Sequence, residues 1–231
     1  MAHVRTLQVS EIFRSIQGES TRAGLPCTFI RLAGCNLRCR WCDTPYAYEG
    51  SVPMTVDQVL AAVRALPAPL VEVTGGEPLL QERTVDLLHA LLELAAVGAS
   101  PLETVMLETN GSLDIGPVPP GVVRVLDVKC PGSGMHERML ASNLDKLTGS
   151  DELKFVIADR ADYEWARDML RRDDHLQRVA AVLFVPVTGA EDSGKPGLRP
   201  ADLADWILAD GLRVRLSLQL HKLIWGPDTR R

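Results

Sequence analysis

"PCTFIRLAGCNLRCRWCDTP", residues 26–45, runs from an apolar, β-prone segment straight into a loop carrying Cys35, Cys39 and Cys42. A strand whose carboxyl end opens into chemistry-bearing residues is the building unit of α/β folds, where sites form outside the carboxyl ends of parallel strands. The unit recurs. "LVEV" (70–73) leads into "TGGEP" (74–78), "TVMLE" (104–108) into "ETNGS" (108–112), and "VVRVLDV" (122–128) into "KCPGSG" (129–134). Turn formation accounts for the glycines and prolines at these places. It does not account for Glu77, Glu108, Asn110 and Lys129 beside them.

Helical patterns alternate with these strands. In "TVDQVLAAVRAL" (55–66), Val56, Val59, Leu60 and Val63 share one face, and Thr55 with Gln58 forms a capping-box pattern. "TVDLLHALLELAAVG" (84–98) is a second helix that Gly98 stops. Further on come a strand at 152–157, a helix over about 160–172 and a strand at 180–187. Pro200 then opens a helix that Gly211 closes, and "RVRLSLQL" (213–220) reads as a last strand. Strand–helix alternation implies parallel pairing, in either an open doubly wound sheet or a full or partial β/α barrel. Glu152 and Lys154 could form an ion pair along their strand.

The 231 residues fit one domain, 1–231, able to bury a core without disulfides. A net charge of −5 argues against a sequence-independent grip on nucleic acid. The longest apolar runs fall well short of the roughly 20 residues of a membrane span, and no leader pattern opens the chain. A cytoplasmic protein is expected, in which five cysteines read as metal ligands or free thiols.

Three thiolates at C-x3-C-x2-C suit a zinc ion or an iron–sulfur cluster. A structural zinc would need a distant fourth ligand, from Cys27, Cys130 or a histidine. The other reading is a [4Fe–4S] cluster with one open iron, and an open position marks a catalytic metal site.

The cysteine spacing, with Trp41 before the last cysteine and "TGGEP" following, resembles the radical S-adenosylmethionine superfamily. Within it, "EIFRSIQGES" (11–20), "FIRLAGCNLRCRWCDTPYAY" (29–48), "ETNGS", "DVKCPGSG", "ELKFVI" and "LQLHKLIWG" are similar to the 7-carboxy-7-deazaguanine synthase family over nearly the whole chain. Ser20 stands where that family's pattern usually has Gly, and the role of the tail 227–231 is open.

The resemblance implies an incomplete (partial TIM-like) β/α barrel of about six parallel strands. It also implies a homodimeric lyase of queuosine and 7-deazapurine biosynthesis that contracts 6-carboxy-5,6,7,8-tetrahydropterin to 7-carboxy-7-deazaguanine with loss of ammonia. Hydrogen abstraction would be initiated by S-adenosylmethionine on a [4Fe–4S] cluster, with an electron donor such as a flavodoxin or ferredoxin. By the same resemblance Cys35, Cys39 and Cys42 hold the cluster and Thr44 holds Mg²⁺. Ile16, Gln17, Gly18, Glu19, Arg31, Thr74 and His221 meet the substrate. Trp41, Asp43, Gly75, Gly76, Glu77, Glu108, Asp127 and Lys129 meet S-adenosylmethionine. An amide and a carboxylate can read the pterin edge, and an arginine can fork onto its carboxylate. An alternative is an activase that makes a glycyl radical on a partner protein, which would need a broad docking face.

Overall fold

A computed structural model describes residues 6–98, 100–188 and 197–226. In chain order the regular elements begin with β1 (Leu7–Ile16), β2 (Pro26–Leu32), β3 (Val52–Met54), α1 (Val56–Ala65), β4 (Leu70–Gly75), α2 (Arg83–Ala96) and β5 (Thr104–Thr109). They continue with β6 (Val122–Val128), β7 (Glu152–Ile157), α3 (Arg160–Arg172), β8 (Ala181–Pro186), α4 (Pro200–Asp210), β9 (Arg215–Leu216) and α5 (Leu220–Trp225). One sheet orders them β3-β1-β2-β4-β5-β6-β7-β8-β9.

From β2 onward every pair is parallel. Six of these strands are six or seven residues long, and the two-residue β9 adds a stub. The sheet ends on β3 and β9 without closing, which makes it a partial barrel. Strand positions facing the helices carry the core. Val71, Val73, Leu107, Leu126, Leu153, Phe155 and Phe184 pack there with Leu87, Leu88 and Leu91 of α2 and Tyr163 of α3. The capping box of α1 forms as its spacing predicts: Gln58 N–H donates to Thr55 Oγ1 at 3.2 Å, and Thr55 N–H to Gln58 Oε1 at 2.8 Å. Gly98 and Gly211 both take left-handed φ, +67° and +60°, just past α2 and α4.

Two elements depart from the sequence expectation. β1 is a ten-residue strand antiparallel to β2, in a stretch to which the sequence reading assigned no strand. The run 213–220 supplies only the two residues of β9, and Leu220 begins a short helix instead. That helix is fixed by docking: Leu220 N–H donates to Gly18 O at 2.9 Å, a contact no local pattern encodes. Glu152 and Lys154 do not pair. Glu152 binds Arg22 and Thr21, whereas Lys154 reaches into the cavity described next. The tail 227–231 lies outside the described residues.

Candidate active site

The four strand-end motifs meet around a cavity of about 220 Å³. Its wall takes Cys35, Cys39 and Cys42 from the loop after β2, Thr74, Gly75 and Gly76 from β4 and its end, Glu108 from β5, Asp127 and Lys129 from β6 and its end, and Lys154 from β7. The loop after β1 adds Ile16, Gln17, Gly18 and Glu19, and α5 adds His221. Arg31, Trp41, Asp43 and Thr44 also line it. Phe13 and Phe29, stacked at 5.2 Å, give it an apolar side.

The glycines of "TGGEP" are there because two backbones touch. A Cβ on Gly75 would lie 2.1 Å from Leu32 O, and one on Gly76 2.1 Å from Gly34 O and 2.7 Å from Cys35 Cβ. Gly76 N–H donates to Leu32 O at 3.1 Å and Glu77 N–H to Gly34 O at 2.8 Å, so this turn clamps the cysteine loop. With those donors engaged, the turn suits a ligand amine better than a ligand carboxylate.

Glu77 departs from its expected role. It is fully buried and does not line the cavity. Its carboxylate accepts from Leu79 N–H, Thr109 Oγ1 and Asn110 N–H at 3.0, 2.8 and 2.7 Å, joining the end of β4 to that of β5. Asp43 lines the cavity but also ties the cysteine loop to the far side, accepting from Gln219 Nε2 at 3.1 Å and Lys222 Nζ at 2.8 Å.

The polar wall is an alternating chain of charges. Lys154, 5% exposed, pairs with Glu19 at 2.8 Å and with Glu108, and stands 3.8 Å from Asp127. Asp127 in turn pairs with Lys129 at 2.6 Å. Burial alone would raise the Glu19 carboxyl. The Lys154 ammonium and the Gln219 amide more than offset it and hold its pKa at about 2. At Glu72 the Lys154 charge is outweighed. Burial, reinforced by the Glu108 charge, raises its carboxyl well above the usual range, and Gln17 Nε2 donates to it. Burial also lowers His221, favouring the neutral imidazole.

Gln17 is therefore occupied at both ends, since its Oε1 accepts Glu19 N–H at 2.6 Å. Arg31 uses only Nε, on Glu11 at 2.7 Å. Among the described residues its two terminal nitrogens make no hydrogen bond, so they remain for an anionic ligand. Thr44 precedes a 3-10 turn without capping it, which leaves its hydroxyl in the cavity wall.

Glu72, Lys154 and Gln219 are polar wall residues to which the sequence reading gave no site role. A charge inside the apolar runs "LVEV" and "ELKFVI" is the signal that marks the first two.

Among the described residues no three of His, Cys, Asp and Glu converge to hold a single metal ion. Cys27 and Cys130 are wholly buried and do not line the cavity, so neither shares a wall with the three loop thiols. Three half-buried soft thiols on one cavity wall fit a multi-iron cluster that leaves a position for a ligand.

Comparison with known proteins agrees. The radical SAM superfamily model matches residues 29–127. A 7-carboxy-7-deazaguanine synthase of Koribacter versatilis is 47% identical over 97% of this chain and 99% of its own. One of Chlorobaculum tepidum is 46% identical over 97% and 96%. Among solved structures, QueE from Escherichia coli superposes with a TM-score of 0.70 at 22% identity, over 93% of this chain and 94% of that one. Streptococcus suis SuiB bound to S-adenosylmethionine gives 0.56 at 15% identity, over 80% and 48%. With near-full-length identity of this order joined to the cysteine loop and its clamp, the chain belongs to the 7-carboxy-7-deazaguanine synthase family of radical S-adenosylmethionine enzymes.

Proposed function

We propose that this chain converts 6-carboxy-5,6,7,8-tetrahydropterin to 7-carboxy-7-deazaguanine with release of ammonia, as a homodimer served by a flavodoxin- or ferredoxin-like electron donor. The observation that carries the reading is one cavity in which the cysteine loop, the glycine clamp and a wall suited to a small polar acid all meet. Cys35, Cys39 and Cys42 would hold the cluster, and Gly75, Gly76, Trp41, Asp127 and Lys129 would border S-adenosylmethionine. Together the two cofactors supply hydrogen-atom abstraction.

The chain's residues bind, orient and screen. Arg31 offers its free fork to the substrate carboxylate, with Phe13 and Phe29 against the ring. Lys154 pairs with both Glu19 and Glu108, which leaves carboxylate oxygens beside it to accept hydrogen bonds from ring N–H groups. Thr74 and neutral His221 add directional contacts without adding charge. Thr44 offers a hard oxygen to Mg²⁺, which would complete its shell with substrate oxygens and water.

The test is anaerobic reconstitution with reductant, Mg²⁺, S-adenosylmethionine and the pterin, followed by mass spectrometry. Catalytic formation of 7-carboxy-7-deazaguanine is expected. If 5′-deoxyadenosine forms alone, the substrate assignment falls and a glycyl-radical activase becomes the better reading. Colourless protein with one equivalent of zinc would remove the cluster itself.

A further inference from the structure

The three cysteines are not equivalent in what surrounds their sulfur atoms. Cys35 Sγ accepts the backbone N–H of Leu37 at 3.4 Å and faces the Asn110 side-chain nitrogen at 3.8 Å. Cys39 Sγ accepts no hydrogen bond among the described residues. The Asn110 contact reaches 75 positions along the chain, from the end of β5 to the cysteine loop.

The orientation of the Asn110 amide is fixed by its neighbours. Ser112 N–H, a backbone donor, points at one end of the amide at 2.9 Å, so that end is the oxygen. Ser112 Oγ lies 2.6 Å from the same atom. The nitrogen is thereby turned to the loop, with Asn36 Oδ1 at 3.3 Å and Cys35 Sγ beyond it. Asn36 returns a hydrogen bond to Ser112 Oγ at 2.8 Å and closes the circuit. Behind it the Glu77 carboxylate grips Asn110 N–H at 2.7 Å. Asn110 is 6% exposed, so little water competes for the sulfur.

We propose that Asn110 is a positioning residue that donates an N–H to the Cys35 sulfur and thereby sets the reduction potential of the cluster bound there. The inference rests on the cluster reading above. A thiolate sulfur carries more negative charge in the reduced cluster than in the oxidised one. A donor aimed at it stabilises the reduced state and raises the potential, and hydrogen bonding to sulfur is one of the established controls on such potentials. The bond is long for a neutral thiol and becomes charge-assisted once the sulfur is a thiolate. It also gives buried Glu77 a purpose that contact with a cofactor does not supply, since Glu77 holds the peptide from which the donor projects.

The experiment is an EPR-monitored reductive titration of the reconstituted protein, without S-adenosylmethionine, for wild type, Asn110→Leu, Asn110→Asp and Ser112→Ala. Iron and sulfide content are measured on the same samples. Asn110→Leu should keep its cluster but become harder to reduce by at least tenfold in the reduction equilibrium, which is 59 mV for one electron. Asn110→Asp, which keeps the acceptor for Ser112 but loses the donor and adds charge, should move further the same way. Ser112→Ala, with the donor retained, should stay near wild type. An exchangeable-proton coupling seen by pulsed EPR in the wild type should be missing from the leucine variant. Loaded Asn110→Leu or Asn110→Asp with wild-type potentials would overturn the proposal. So would variants that assemble no cluster while wild type does, because Asn110 would then serve assembly and not potential. A wild type that binds no cluster would instead refute the cluster reading.

Discussion

Gly18 and His221 are packed so closely that no side-chain carbon fits between them. A Cβ on Gly18 would sit 2.1 Å from His221 Nδ1 and 3.1 Å from Cγ, so the whole ring would have to leave. Gly18→Ala is therefore expected to displace His221 and loosen α5, with an overpacking cost of about 1–3 kcal/mol. Steady-state kinetics should show a KM for the pterin raised at least tenfold with normal iron content. The double variant with His221→Ala should be no worse than His221→Ala alone, because both changes act through one ring. An unchanged KM in Gly18→Ala would contradict the placement of His221 in the substrate wall.

Lys154 is the cation between Glu19 and Glu108. Replacing it with methionine leaves buried carboxylates without their partner and should cost about 3–5 kcal/mol in urea unfolding. The pH dependence follows from Glu19. Its folded pKa of about 2 lies below the ordinary 4.5, so its stabilisation is complete above pH 4.5 and fades as the pH falls toward 2. The gap between wild type and Lys154→Met should narrow on acidification. A gap that stays constant to pH 3 would mean that Glu19 owes its acidity to something else.

Glu72 behaves in the opposite sense. Its carboxyl is raised by burial and by Glu108, so the folded chain holds a proton that the unfolded chain releases. Stability then falls as pH rises from the ordinary carboxyl range toward the folded value. Glu72→Gln removes that loss and keeps an oxygen for Gln17. It should raise the urea midpoint at pH 8, with the advantage vanishing near pH 4. Equal midpoints for both proteins at pH 8 would show Glu72 to be ionised in the fold.

Ser20 has a left-handed φ of +57°, unique among the non-glycine residues described. Its hydroxyl accepts Arg22 N–H at 3.0 Å and holds the turn. Ser20→Gly relieves the strained backbone but loses that bond, and should change stability by no more than about 0.5 kcal/mol. Ser20→Val, β-branched in a left-handed conformation, should cost about 1–2 kcal/mol. Thermal unfolding of the pair separates backbone geometry from the hydroxyl, since a harmless valine would mean that the loop has another conformation.

The parallel half of the fold was legible because its strands are short apolar runs, most of them with a glycine or proline at or within three residues of the end, and α1 carries its cap in the sequence. β1 was harder to see. Half-buried against β2, it mixes Glu11 and Arg14 with apolar positions and reads as a motif. The six residues of α5 have too few turns for a period, and their helix depends on Gly18 O. In the candidate site the motif glycines and cysteines were visible, whereas the ionic wiring was not. Asp43 with Lys222, and Glu19 with Gln219, are pairs separated by 179 and 200 positions, which only the folded path brings together.

Those separations bear on how the protein is made. Loop closure over about 200 residues is among the slowest contacts a chain forms. A chain emerging from the ribosome has its cysteine loop and the ends of β4 to β6 well before residues 219–222 arrive to meet Glu19 and Asp43. For that interval the future cavity lacks one wall.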